Sequence, residues 1–95
     1  MPSTTHSRLV EVLREAREYL ARPGNNFAWS AWDSRDEALR QIDDLITRVE
    51  SGHMPAHMDL TLLFAPTGNI QEVAESSGWE REFLALAVRF DSANE

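Results

Sequence analysis

The chain reads as all-α: a bundle of three main amphipathic helices, at about 4–22, 34–51 and 79–90, with shorter helical segments at about 55–64 and 69–75 and an ordered, aromatic-rich loop at 23–33. Two observations predict this. Apolar residues recur at the helical period in three separate stretches, and cap-forming or helix-stopping residues bracket each of them. With 95 residues, 42% hydrophobic and 26% charged, the chain has enough apolar matter for one core without crosslinks, so a single helical domain over 1–95 is expected.

In the first helix Leu9, Val12, Leu13, Ala16, Tyr19 and Leu20 share one face, behind Ser3, Thr4 and Thr5 as possible N-caps. Arg14 with Glu18 and Glu18 with Arg22 stand four residues apart on the other face, a solvated surface. Pro23 and Gly24 stop this helix and open the loop, where Phe27, Trp29 and Trp32 would be an apolar liability unless most of them pack on the core.

Ser34 and Glu37 have the spacing of a capping box for the second helix, and Asp36 and Glu37 put negative charge at its positive end. Ala38, Leu39, Ile42, Leu45, Ile46 and Val49 form its buried stripe, and Gly52 is its stop. The apolar run Leu60 to Ala65 is compatible with helix or strand; helix is favoured because Pro55 suits a first turn and Pro66 a terminus. Asn69 and Glu72 form a second cap-like pair ahead of Ile70, Val73 and Ala74.

Ser76, Ser77 and Gly78 precede the last helix, in which Trp79, Phe83, Leu86 and Phe90 line one stripe. Leu84 and Val88 form a second stripe almost opposite. A helix apolar on two sides is covered on both, by lying centrally in a bundle or by meeting another chain. Trp32, Trp79 and Phe83 are expected to cluster and hold the loop against this helix.

Composition removes whole classes of chemistry. There is no cysteine, hence no disulfide, thiolate nucleophile or thiolate metal site. All nine basic residues are arginine, which excludes Schiff-base and P-loop lysine chemistry. The net charge is −7, divided as +1 over 1–22, −3 over 23–52 and −5 over 53–95. Nucleic-acid binding relies on basic side chains that release phosphate counterions, so nucleic acid is not an expected partner. No apolar run reaches the ~18–20 residues of a membrane helix and the N-terminus is polar, so a cytoplasmic protein with no membrane association is expected.

Fingerprints of catalysis are missing: no serine lies in G-x-S-x-G, no G-x-G-x-x-G is present, and no cofactor is implied. His53 and His57, four residues apart, are the weak metal candidates, with an exposed structural pair as the simpler reading and no further ligands to name. Glu72, beside Gln71 in a turn-rich region, would matter catalytically only in a cleft with a second acid nearby; the acids Glu72, Glu75, Glu80 and Glu82 read otherwise as solvated helix ends. Core packing is the default for each tryptophan, with Trp29, between Ala28 and Ser30, as the candidate surface anchor.

The sequence therefore points to a small acidic interaction or regulatory module without catalytic activity, self-associating or binding a protein partner. Its candidate contact residues are Trp29, Trp32, Gln71, Glu72, Trp79, Leu84 and Val88. The alternative is a small-ligand or metal-binding protein built on the aromatic loop, with polar groups such as Asn26 and Gln71, or on the His53/His57 pair.

Overall fold

A computed structural model describes residues 4–28, 30–53, 57–65 and 68–93, with the side chains of 4–6 and 57–59 outside the described set. Five helices follow one another: α1 (Thr4–Ala21), α2 (Arg35–Glu50), α3 (His57–Phe64), α4 (Asn69–Ser77) and α5 (Glu80–Ala93). No strand occurs among the described residues, and the Leu60 to Phe64 run is helical. The all-α reading and its five segments therefore hold.

α1 is the central element, with α2, α4 and α5 all packed against it. The reason is its stripe: Leu9, Leu13, Ala16 and Leu20 are fully buried and Val12 nearly so. The stripes of α2 and α5 close over it, and Ile70, Val73 and Ala74 of α4 and Leu60, Leu63 and Phe64 of α3 complete one contiguous core. Phe64 stacks between Phe83 and Phe90 of α5, with ring centroids 6.5 and 4.4 Å away. That contact seats the short α3, whose eight residues could not sustain a helix alone.

Capping sets the helix ends. Ser34 Oγ accepts from the Glu37 N–H at 3.2 Å, while the Glu37 carboxylate accepts from the Asp33 N–H at 2.8 Å, one residue earlier than in the reciprocal box the spacing suggests. At the other end of α2 the His53 N–H bonds to Arg48 O at 2.9 Å and the Gly52 N–H to Val49 O at 3.2 Å, the paired bonds of a Schellman stop. At Gly78, φ is +87°, a left-handed conformation that costs glycine little. It lets the N–H groups of Gly78 and Trp79 both bond to Ala74 O, at 2.9 and 3.0 Å. Trp79 O in turn accepts from the Phe83 N–H at 3.0 Å, so α4 passes into α5 through two residues.

Two expectations are corrected. Asn69 does not cap α4: Gly68 is the N-cap, without a side-chain bond, and Asn69 Oδ1 accepts from the Ala31 N–H of the loop at 2.9 Å. A side chain at 68 would collide with backbone, because an added Cβ would lie 2.5 Å from Leu62 O and 2.9 Å from Ala65 O. The N-cap position is thus restricted to glycine, and Asn69 serves the loop instead.

The charges on α1 also differ from expectation. Arg14 pairs with Glu50 of α2 at 2.9 Å instead of Glu18, and Arg22 lies 4.2 Å over the Tyr19 ring. Arg17 makes a two-pronged contact with Asp43, at 2.5 and 3.2 Å. The hydrogen bond first, and the Coulomb attraction second, hold the Arg17 guanidinium above its ordinary pKa. Both partners are well exposed, so the pair aligns α1 with α2 more than it stabilises them.

Candidate functional site

The loop between α1 and α2 is fastened along its length. Asn25 donates its side-chain amide to Tyr19 O, Leu20 O and Arg22 O at 2.7, 3.1 and 3.2 Å, closing the C-terminus of α1. Its Oδ1 accepts from the Trp79 indole N–H at 2.9 Å. The Asn26 N–H bonds to Ser77 Oγ at the end of α4, and the Ala31 N–H to Asn69 at its start, so the loop runs beside α4. Asn26 is exposed and spends its Oδ1 on the Ala28 N–H.

Trp32 and Trp79 are 3% and 5% exposed, and both indole N–H groups are bonded within the chain, Trp32 to Gln41 and Trp79 to Asn25. All of Trp32, Trp79 and Phe83 belong to the core. Trp79 stacks on Tyr19 at 5.0 Å, and Phe83 on Phe64. The loop is therefore tied to α5 chiefly through Trp79, Tyr19 and Asn25. Trp29 lies outside the described residues. The two described indoles leave no free N–H for a ligand.

Gln71 and Glu72 are half-buried on the first turn of α4, where Gln71 Nε2 donates to Glu75 at 3.1 Å. His53 is exposed just past α2, and the His57 side chain is outside the described set. Among the described residues no three His, Asp or Glu side chains converge as a metal site requires.

An open groove of about 390 Å³ beside α2 and α3 is lined by Gln41, Asp44, Leu45, Arg48, Leu62 and Asn69. Gln41 and Asn69 already hold the loop, and Asp44 and Arg48 pair with each other at 3.0 Å. Leu62, from the apolar run of α3, is 60% exposed on its rim.

The outer face of α5 is different in kind. Phe83, Leu86, Phe90 and Ala93 turn inward, which leaves Leu84 50% and Val88 66% exposed one helical turn apart. Ala85 beside them is exposed as well, and Arg81 and Asp91 stand at the two ends of the same face. Neither Arg81 nor Asp91 makes an ion pair among the described residues, whereas Arg89, turned toward α1, is held by Glu11 at 3.5 Å and by Glu15. Of the predicted contact residues, Leu84 and Val88 are thus together and open, and Trp32 and Trp79 are enclosed.

No described helix is long and apolar enough to cross a membrane. No protein-family model matches the chain, and neither a curated protein nor a solved structure resembles it closely enough to match.

Proposed function

We propose that this protein is a protein–protein contact module without catalytic activity, working in the cytoplasm, and that the outer face of α5 is its contact surface. The observation that carries the reading is the joint exposure of Leu84 and Val88. Exposed apolar residues scattered singly need no explanation, but two large ones a turn apart, with Ala85 beside them, form a small apolar patch. The fold does not use them, because α5 fills the core from its other side. The closed indoles weigh against the alternative of a small-ligand site on the aromatic loop.

A photo-crosslinking residue at Ala85 tests this in cells that make the protein, with Thr47 on the exposed side of α2 as the control position. The expected result is one discrete adduct from position 85 and none from position 47. No adduct at 85, or the same adducts from both positions, removes the reading.

A further inference from the structure

The outer face of α5 carries a pattern that specifies its own partner. Arg81, Leu84, Val88 and Asp91 follow one another at spacings of three, four and three, the spacing of the apolar seam in paired helices. We infer that this seam docks a second copy of the same chain, with the two α5 helices antiparallel about a two-fold axis that crosses the outer face midway between Leu84 and Val88. The inference rests on the contact-face reading above and names its partner.

Register fixes the orientation of the pair. In an antiparallel helix pair, a step forward on one helix matches a step back on the other. When Leu84 of one copy meets Val88 of the other, the two-fold repeats that contact, so both apolar residues are covered in each copy. Arg81 lies three residues before Leu84 and Asp91 three after Val88, so the same register sets Arg81 of each copy opposite Asp91 of the other. Two opposite-charge contacts then bracket two apolar ones. A parallel, in-register pair would instead place Arg81 against Arg81 and Asp91 against Asp91, so the charge pattern selects one orientation and rejects the other. Both end residues are exposed, and neither makes an ion pair among the described residues. Ala85, on the flank of the seam, has only a methyl group to hold the backbones apart.

The seam from 81 to 91 spans only ~15 Å of helix. Such a contact falls in the weak, transient class of interfaces. Two copies that each carry −7 also repel at long range, an effect that screening largely removes at physiological salt. A reversible monomer–dimer equilibrium is the form the association takes.

Charge reversal tests the register. Sedimentation equilibrium of the wild type, up to ~1 mM to cover weak association, is expected to show the mass rising from 10.8 kDa toward twice that value. Arg81→Asp and Asp91→Arg, each alone, replace two attractions by two repulsions and are expected to raise the dissociation constant at least ~10-fold. An equimolar mixture of the two variants is expected to restore association. In the mixed pair, the two acidic positions of one chain face the two basic positions of the other. Circular dichroism confirms that both variants are folded, which their exposed positions favour. A wild type that stays at 10.8 kDa throughout overturns the inference, and so do single variants that associate as the wild type does. A monomeric wild type that still yields an adduct with a different protein at position 85 overturns self-docking and leaves the contact-face reading standing; absence of any adduct overturns both.

Discussion

Trp79→Ala is expected to lower the melting temperature by roughly 15–30 °C, the largest effect of any single change considered for this chain. Removing a buried Trp costs about 3–5 kcal/mol, and in a domain near this size each kcal/mol is worth about 4–8 °C. Three separate losses act at position 79. The indole leaves a void in the core, where it is 5% exposed. Its stack on Tyr19 disappears, loosening the last turn of α1. Asn25 loses the N–H that occupies its Oδ1. Since a domain of this length is stable by only about 5–15 kcal/mol, the variant should be partly unfolded near physiological temperature. Differential scanning calorimetry reads the shift directly, and a fall of less than ~5 °C would mean that Trp79 is not a principal link between α5 and α1.

Asn25→Ala comes second, with an expected cost of about 2–3 kcal/mol. The substitution removes three bonds to the terminal carbonyls of α1 and strands the Trp79 indole N–H. Asn25→Asp sharpens the prediction. It keeps the size and the acceptor but replaces the donating amide with a negative charge, aimed at carbonyls at the negative end of a helix, so it should be at least as damaging as alanine. Urea titration compares the variants. Near-wild-type stability in Asn25→Asp would show that the amide does not close α1. With Trp79→Phe as the second change, a double-mutant cycle should give a coupling of about 1 kcal/mol or more, since both residues share one hydrogen bond.

Both effects turn on a residue that a reading of the sequence passes over. Asn25 sits in a turn-forming stretch, where an asparagine is ordinarily explained by the turn itself, and its partner Trp79 is 54 positions away. Gln41, the acceptor for Trp32, and Asn69, the acceptor for Ala31, are hidden for the same reason. The cross-helix pairs Arg14–Glu50 and Arg17–Asp43 span 36 and 26 positions, beyond any periodicity rule. By contrast, the features written in local spacing were legible. The stripes of α1, α2 and α5 are the buried faces, Ser34 caps α2 through Glu37, and Gly52 and Gly78 mark helix ends.

The candidate site was legible in the same limited way. Leu84 and Val88 stand almost opposite the Phe83, Leu86 and Phe90 stripe, so the helical period alone identified a second apolar side. It could not decide between burial in a larger bundle and exposure, which depends on how many helices surround α5. The fold decides that, since α5 packs against α1 and α4 and presents its remaining side outward. Leu62 shows the reverse case: on a helix of only eight residues, rich in apolar side chains all round, the period says little about which leucine turns away.

Self-docking through the outer face of α5 is decided by the solution mass of the wild type and of Leu84→Asp/Val88→Asp by light scattering, with circular dichroism and a thermal melt on each. Changes at exposed positions away from caps and core contacts usually alter stability by less than ~1 kcal/mol. The variant is therefore expected to fold and melt close to the wild type but to remain at 10.8 kDa at concentrations where the wild type dimerises. A monomeric wild type together with an unfolded variant would contradict it, because Leu84 and Val88 would then serve the fold of one chain and not a contact between two.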